Sequence, residues 1–297
     1  MNIIKPSPLK DGATIGFLSV CGPIHEFEYI EKSKRYFEKK GYKVVVSDTT
    51  YTQKDFLAAD DNVRLAQLHE FFEDSQIDAI CCTRGGYGAI RLLNGVDYEL
   101  IRKNPKIFCG FSDVTALLTS IYTNSGVQTY HSPMPYSDFG SDEISDLTEQ
   151  SFWKILKGAK FEAELSGKIY NFGSVQGCLF GGNLATLASM VGTKFVPNEK
   201  FILFLEDINE PAYKIDRYLT QLMFDSTFAK NLSGIVLGEF TELDEFSYFD
   251  NIFSELGRKL QIPIVSGLKI GHIKDKLTVP VVINACLDTE RNILKEL

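Results

Sequence analysis

Residues 13–125 alternate between short, continuous apolar runs and segments with helical periodicity. The runs are ATIGFLSV, YKVVVSD, IDAICCT and KIFCGF, and the segments that follow them are EYIEKSKRYFEKKG, DNVRLAQLHEFFEDS, GAIRLLNG and DVTALLTSIYTNSG. Strands without polar alternation are buried on both faces, which is typical of a parallel sheet covered by helices. Such sheets bind ligands at the carboxyl ends of their strands, so candidate functional residues are sought there.

The pattern changes near residue 136. The stretch PYSDFGSDEISDLTEQ is polar and turn-rich, and a helical segment follows it through Trp153, which indicates a linker over residues 136–160. Beyond it, short strand candidates lie close together and are mixed with helices, which is typical of an α+β domain. We therefore predict an N-terminal α/β domain over residues 1–160 and a C-terminal α+β domain over residues 161–297.

The composition excludes several classes of function. The chain is 44% hydrophobic with a formal net charge of −8 and no dense Lys/Arg cluster, so nucleic-acid binding, which depends on neutralising phosphates, is not expected. No apolar run approaches the roughly 20 residues of a membrane span, and the amino terminus lacks a signal-peptide pattern, which predicts a cytoplasmic protein. The six cysteines have no zinc-ligand spacing and are expected to be buried thiols, so neither a metal nor a cofactor is predicted.

A serine stands where the fourth apolar run meets its helix, in the sequence Gly110-Phe111-Ser112-Asp113-Val114. Ser112 could cap the helix, because a serine side chain accepts hydrogen bonds from the first N–H groups of a helix. It could instead be a nucleophile on a sharp strand-turn-helix, with the Asp113 N–H facing a developing oxyanion. The pattern G-x-S-x-G lacks its second glycine here, and the residues alone leave both interpretations open.

A glycine-rich segment, CTRGGYGAI at residues 82–90, follows the third apolar run. Its backbone N–H groups could bind an anion, either a phosphate or the oxyanion of an acyl transfer. It is not a Walker A sequence, and it matches G-x-G-x-x-G only in part. A tight loop that needs glycine for backbone freedom is the structural alternative.

A serine nucleophile needs a base, and the chain contains four histidines. His69 lies in an amphipathic helix and is expected to be structural, whereas His25 lies in a loop after the first strand. His131 ends another strand candidate and could line a cleft. His272 lies in a loop between two strand candidates, beside Gly271, and is a candidate base.

The base needs an orienting carboxylate, and the segment FILFLEDINEPAYKIDR offers one. Glu206 follows an apolar run and is expected at the carboxyl end of a buried strand, where a carboxylate is costly unless it is paired. Asp207 and Glu210 could serve the start of the next helix instead. Glu206 fits that structural role less well.

Seven short segments occur in order along nearly the whole chain: DGATIGFLS, TRGGYGA, GFSDVTALL, HSPM, GCLFGGNLATLASMVGT, LFLEDINEPAYKIDRYLTQL and GLKIGHIKDKLTVP. Through them the sequence resembles the LD-carboxypeptidases, serine peptidases that trim muropeptides, and their relatives the microcin-C immunity peptidases. It departs from the family where Ser132 replaces the glycine of His-Gly-Pro-Met, and at Val20–Pro23, where the family often has Pro-Ser.

The resemblance implies both a fold and a site. The N-terminal domain would be a flavodoxin-like parallel-sheet layer, and the C-terminal domain a swivelling β/α, partly barrel-like α+β unit. The implied catalytic triad is Ser112, Glu206 and His272, and the implied oxyanion hole uses the backbone of Gly85, Gly86 and Asp113. The residues assigned to substrate binding are Arg84, Tyr87, His131 and Asn183. A carboxypeptidase has to bind a free carboxylate, and Arg84 suits bidentate binding of such a group, with a structural ion pair as the alternative and Arg217 as a poorer candidate.

The implied reaction is hydrolysis of the L,D peptide bond of murein tetrapeptides, which releases terminal D-Ala in cell-wall recycling, by a homodimer. One alternative is an immunity peptidase that cleaves aminoacyl-nucleotides. Those relatives tend to have Glu-Thr where this chain has Glu206-Asp207, and they need a base-stacking aromatic, whereas the only tryptophan here is Trp153. Another alternative is a nucleotide-binding module that uses RGGYG for phosphate and is indifferent to Ser112→Ala.

Overall fold

The computed structural model describes residues 3–297, and the chain divides into two compact units. The first runs to Ala159 and includes Lys274–Val279, and the second comprises Lys160–Ile273 and Pro280–Leu297. The domain boundary near residue 160 stays a prediction. It does not assign residues 274–279 to the N-terminal domain, whereas the structure places them in the first unit.

The secondary structure alternates along the first half and is mixed along the second. The strands are β1 (Thr14–Leu18), β2 (Lys43–Val46), β3 (Ala79–Cys82), β4 (Ile107–Gly110), β5 (Thr129–His131), β6 (Glu162–Glu164), β7 (Ile169–Asn171), β8 (Ser174–Asn183), β9 (Phe201–Ile208), β10 (Leu232–Thr241), β11 (Ile264–Ser266), β12 (Val279–Val281), β13 (Asn284–Asp288) and β14 (Ile293–Glu296). The α-helices are α1 (Phe27–Lys39), α2 (Asp61–Glu73), α3 (Tyr98–Lys103), α4 (Thr115–Ser125), α5 (Asp146–Leu156), α6 (Leu184–Ser189), α7 (Ala212–Met223), α8 (Ser226–Asn231) and α9 (Phe246–Leu260).

The sheet of the first unit has the order β12-β5-β4-β3-β1-β2. Strands β1 to β5 pair in parallel, and their order β2-β1-β3-β4-β5 is the flavodoxin-like one, which confirms the expected fold. Strands β3 and β4 are buried along their whole length because helices cover both faces of such a sheet. The carboxyl ends of β1, β3 and β4 bring residues 19–22, 83–89 and 111–112 to one edge of the sheet.

One predicted helix of the first unit is much shorter than expected. The segment GAIRLLNG forms only a 3₁₀ turn at Ala89–Leu92. Glycines limit it on both sides, since Gly88 has a φ of +126° and Gly95 follows three residues after the turn. The glycine-rich loop is therefore held by contacts with other loops rather than by a regular helix.

The second unit is built on a mixed sheet with the order β6-β14-β13-β8-β9-β10-β11-β7. Strands β8 to β11 are parallel, whereas β7, β13, β14 and β6 pair antiparallel. Within residues 3–297 this sheet runs open from β6 to β7 and does not close as a barrel. Strand β9 is buried from Phe201 to Asp207, so its polar end residues are held inside the unit.

Three further properties bear on function. All six cysteines are free thiols, and five of them are buried. None of the helices within residues 3–297 combines the length and the apolarity that crossing a bilayer requires. In the same residues, no group of three or more His, Cys, Asp or Glu side chains is arranged to hold a metal ion.

Candidate active site

Ser112 occupies a strained turn between β4 and α4. It begins a single 3₁₀ turn, Ser112–Val114, and its φ of +62° is unfavourable for a residue with a β-carbon. Neither this turn nor α4 has a side-chain cap, and the residues at their N-cap positions are Phe111 and Val114. The helix-cap interpretation of Ser112 is therefore wrong. A serine on a strained strand-to-helix turn has the geometry of a nucleophile elbow.

The glycine-rich loop packs directly against this serine. A β-carbon at Gly85 would lie 2.7 Å from the Ser112 Cβ and 2.8 Å from its Oγ, so only glycine fits there. The Gly22 N–H donates to the Gly85 carbonyl at 3.1 Å. Because the C=O and N–H of a trans peptide point in opposite directions, this bond turns the Gly86 N–H away from Gly22. The geometry therefore favours Gly86 over Gly85 as an N–H donor.

Asp113 contributes a contact that the sequence interpretation missed. Its side chain is buried, and its Oδ2 accepts a hydrogen bond from the Ala89 N–H at 2.8 Å. Burial raises the pKa of the Asp113 carboxyl. The acidic residue directly after Ser112 is the sequence signal for this carboxylate. The oxyanion role of that N–H stays a prediction.

Glu206 and His272 form a hydrogen-bonded pair within the second unit. Glu206, near the end of β9, is fully buried, and its Oε2 lies 2.9 Å from Nδ1 of His272, whose side chain is 20% exposed. Gly271 has a φ of +115°, and a β-carbon there would lie 3.1 Å from the Glu206 Cβ, so glycine lets the histidine loop approach the strand. With Nδ1 donating to the carboxylate, Nε2 can act as a base.

Asn183 and Asp207 lie beside this pair and bond to each other. The Asn183 Nδ2 donates to Asp207 Oδ1 at 2.8 Å, and the Ala185 N–H donates to Asp207 Oδ2 at 2.9 Å. Asn183 also caps α6, since its Oδ1 accepts from the Thr186 N–H at 3.0 Å. Burial, with the charge of Glu206 adding to it, raises the pKa of Asp207 to about 6. The predicted substrate contact of Asn183 stays a prediction.

Arg84 is half-buried beside the glycine-rich loop. Its Nη1 donates to the Pro23 carbonyl at 2.9 Å, and its guanidinium lies 5.4 Å from the centre of the Tyr136 ring. These contacts orient the guanidinium without a carboxylate partner among them. The binding of a substrate carboxylate by Arg84 stays a prediction.

The remaining predicted binding residues differ in exposure. Tyr87 is 46% exposed, and its ring packs 5.5 Å from that of Phe56. His131 is buried, with its ring 5.8 Å from that of Phe111. Their contacts with a substrate stay predictions.

The other two histidines have the environments that the sequence indicated. His25 is exposed in the loop after β1. His69 is structural, because its Nε2 accepts a hydrogen bond from the Asp97 N–H at 2.9 Å, at the start of α3.

Comparison with known proteins identifies the family. The sequence profile of the LD-carboxypeptidase N-terminal domain matches residues 15–132, and that of the LD-carboxypeptidase C-terminal domain matches residues 176–287. The chain belongs to the LD-carboxypeptidase family. It is therefore a serine-type peptidase, as the resemblance of its seven segments implied.

Individual LD-carboxypeptidase relatives align over almost the whole chain. A probable murein peptide carboxypeptidase of Bacillus subtilis is 34% identical, and the alignment covers 96% of this chain and 92% of that protein. A murein tetrapeptide carboxypeptidase of Pseudomonas aeruginosa is 31% identical over 89% of this chain and 90% of its own. The crystal structure of an MccF-like protein from Bacillus anthracis matches with a TM-score of 0.91 and 29% identity, covering 99% of each chain.

Proposed function

We propose that this protein is a carboxypeptidase that hydrolyses the L,D peptide bond of murein tetrapeptides and releases terminal D-Ala. Support comes from the relatives named for murein peptides, which are 34% and 31% identical to it. The observation that carries the proposal is the strained backbone of Ser112, with φ +62°. A fold stores such strain where a side chain has to be presented in a fixed direction.

The proposed triad is Ser112, His272 and Glu206. Ser112 Oγ attacks the carbonyl carbon of the scissile bond while its proton passes to His272 Nε2. Glu206 accepts from Nδ1 and stabilises the imidazolium, and its complete burial strengthens that interaction. The imidazolium then protonates the amine of D-Ala as the C–N bond breaks. A water molecule, deprotonated by His272, hydrolyses the acyl-enzyme and regenerates Ser112.

The oxyanion of the tetrahedral intermediate would be bound by backbone N–H groups of Asp113 and of the Gly85–Gly86 turn, with Gly86 the better oriented. Removing one donor of this kind costs about 10²–10³ in rate in other enzymes. Arg84 would bind the terminal carboxylate of the substrate. The proposed secondary contacts to the peptide come from Tyr87, His131 and Asn183.

The proposal also includes a cytoplasmic homodimer that needs no cofactor. The formal net charge of −8 opposes binding to polyanions such as nucleic acids. Sedimentation velocity at micromolar concentration would test the oligomeric state. A single species at the monomer mass would contradict the dimer without affecting the proposed reaction.

A second candidate function is cleavage of aminoacyl-nucleotides by an immunity peptidase, because the Bacillus anthracis neighbour is described as MccF-like. An enzyme of this kind needs an aromatic side chain that stacks on the nucleotide base, and here that side chain would have to belong to a residue other than Trp153. The Trp153 ring stacks 4.7 Å from Tyr42, and its Nε1 donates to the Tyr36 hydroxyl at 2.9 Å. This tryptophan is used in the packing of the first unit, which favours the murein peptide substrate.

The test compares murein tri-, tetra- and pentapeptides with an aspartyl sulfamoyl nucleoside, with products identified by mass spectrometry. We expect D-Ala from the tetrapeptide only, and a loss of at least about 10³-fold in Ser112→Ala. The control Ser247→Ala alters an exposed serine of α9 and should keep wild-type activity. Cleavage of the nucleoside alone would favour the second function. Nucleotide affinity in calorimetry that is indifferent to Ser112→Ala, without cleavage of any substrate, would favour a binding module.

A further inference from the structure

Arg64, on α2, is a fully buried arginine whose contacts are mostly backbone carbonyls. Its Nη1 donates to the carbonyls of Val20 and of Gly88, the latter at 3.0 Å. Its Nε donates to the Ala59 carbonyl at 3.2 Å, and its Nη2 donates to Asp61 Oδ1 at 2.7 Å. A single guanidinium is therefore shared by three loops and one carboxylate.

The three loops that Arg64 joins also bond to one another. They are residues 20–22 after β1, residues 57–59 before α2, and residues 83–89 after β3. The Ala58 N–H donates to the Cys21 carbonyl at 2.9 Å, and the Gly22 N–H donates to the Gly85 carbonyl at 3.1 Å. The second of these bonds is the one that orients the Gly85–Gly86 peptide, so Arg64 holds the loop on which that orientation depends.

One peptide group is held from both sides by buried polar side chains. Its carbonyl, at Gly88, accepts from Arg64, and its N–H, at Ala89, donates to Asp113 Oδ2 at 2.8 Å. Gly88 has a φ of +126°, and a β-carbon there would lie 2.9 Å from the Arg64 Nη1. The close approach thus depends on glycine. Because Asp113 directly follows Ser112, this peptide fixes the glycine-rich loop relative to the nucleophile turn.

Burying a guanidinium is costly, since the ion loses its hydration. Packing alone would be served by an apolar side chain in a helix such as α2, where Leu68 and Phe72 are also fully buried. What an apolar residue could not supply is the set of forked donors that arginine directs at several acceptors at once. The feature that needs explanation is therefore the simultaneous bonding of three loops at the carboxyl edge of the sheet.

We propose that Arg64 is a positioning residue that fixes the Gly85–Gly86 turn against Ser112, so that the backbone N–H of this turn is in place when the oxyanion forms. The catalytic part of this inference rests on the proposed function. An oxyanion donor acts on the transition state and not on the bound substrate. Loss of Arg64 should therefore lower kcat and leave KM almost unchanged.

The kinetic test uses Arg64→Met, which removes the donors, and Arg64→Lys, which restores the charge and some of the bonds. We expect kcat for D-Ala release to fall by about 10- to 100-fold in Arg64→Met with KM within about threefold, and to recover in part in Arg64→Lys. The control Arg102→Met loses a bond to the Ser125 carbonyl at the far end of α4 and should keep kcat within about twofold. A folded Arg64→Met with wild-type kcat, or with the loss confined to KM, would overturn the proposal.

Amide hydrogen exchange followed by mass spectrometry tests the same residue without any substrate. Residues 83–92 should be protected in the wild type and exchange at least about tenfold faster in Arg64→Met, while peptides from α4 are unchanged. If this segment is unprotected in the wild type, or its exchange is unaffected by the substitution, the positioning role fails. If Arg64→Met does not fold, the proposal is decided by the kcat of Arg64→Lys and by the exchange protection of residues 83–92 in the wild type. If the wild type releases no D-Ala, the proposed function fails. Amide hydrogen exchange then still tests whether Arg64 holds the loop of residues 83–89.

Discussion

At Ser112, an unfavourable backbone conformation coincides with a contact that only glycine permits. Ala at position 85 would place a β-carbon 2.7 Å from the Ser112 Cβ, so one of the two turns has to move. We expect Gly85→Ala to lower kcat for D-Ala release by at least about 100-fold, because a displacement near 1 Å has that effect on positioned groups. Steady-state kinetics and an unfolding curve on the same sample separate loss of activity from loss of fold.

The matched control for Gly85→Ala is Gly41→Ala. Gly41 has a φ of +91° and no atom within 4 Å of an added β-carbon, so the substitution should cost about 1 kcal/mol of stability through backbone strain alone. Its kcat should equal that of the wild type. Equal kinetic losses in both variants would show that Gly85 acts through stability and not through its contact with Ser112.

Glu206 carries the second prediction at this scale. Glu206→Gln keeps the shape of the side chain but removes the charge that, in the proposed triad, would stabilise the imidazolium of His272. We expect kcat to fall by about 10²–10⁴-fold with little change in KM, as for a triad carboxylate changed to its amide. The control is Glu164→Gln, at an exposed position of β6, which should have no effect. A variant of Glu206 with more than half of the wild-type kcat would exclude it from the triad.

At the scale of elements, the segment Lys274–Val279 is fastened to α5 within the first unit. The Thr148 hydroxyl donates to the Lys274 carbonyl at 2.8 Å and accepts from the Lys276 N–H at 2.9 Å. The Lys276 Nζ also pairs with Asp138 at 2.6 Å and lies 4.3 Å from the centre of the Phe111 ring. The segment therefore packs against the residue that precedes Ser112.

We expect Thr148→Val, which keeps the shape but removes both bonds, to lower the free energy of unfolding by about 1–3 kcal/mol, because it leaves the buried Lys276 N–H unpaired. Thr148→Ser keeps the hydroxyl and should lose less than half of that. Urea unfolding followed by tryptophan fluorescence measures both, since Trp153 is on the same helix. A Thr148→Ser variant as unstable as Thr148→Val would assign the effect to the lost methyl group instead.

The elements that could be predicted from the sequence are those specified by local patterns. Strands β1 to β4 follow from continuous apolar runs, and the flavodoxin-like order of the sheet follows from the family resemblance. The lengths of short elements are less predictable, because glycines such as Gly88, which directly precedes the 3₁₀ turn, limit a helix through backbone conformation and not through hydrophobic periodicity. The positive φ of Ser112 could not be predicted from the local sequence either, because no residue pattern around it indicates a left-handed backbone, and its close neighbour Gly85 lies in another loop.

For the whole molecule, what could not be predicted depends on contacts between distant parts of the sequence. Arg64 lies in a helix whose charged residues are typical of a solvated face, and its burial results from three loops that meet around it. Lys276 is buried for a similar reason, since its partner Asp138 is far away in the sequence. The buried position of Glu206 near the end of β9 could be predicted from the apolar run that precedes it, whereas its catalytic role stays a prediction.

The stability of the whole molecule should depend on pH through Asp207. Its folded-state pKa of about 6 lies above the ordinary value of 3.8, because burial and then Glu206 disfavour the charged form. The folded state therefore binds this proton more tightly than the unfolded state. The resulting stability is complete below about pH 4 and is lost as the pH rises through about 6. Between pH 5 and pH 7 this amounts to about 1 kcal/mol.

Asp207→Asn removes this titration, although it also weakens the bond from the Ala185 N–H and so lowers stability overall. The informative quantity is the change in the free energy of unfolding between pH 5 and pH 7, measured with urea. The wild type should lose about 1 kcal/mol more over this interval than Asp207→Asn does. The exposed variant Asp48→Asn should follow the wild type, because the loss of one surface charge leaves the buried carboxyl intact. Parallel curves for the wild type and Asp207→Asn would mean that Asp207 is charged throughout this range. The charges of Asp207 and Glu206 would then both be accommodated inside the second unit, next to His272.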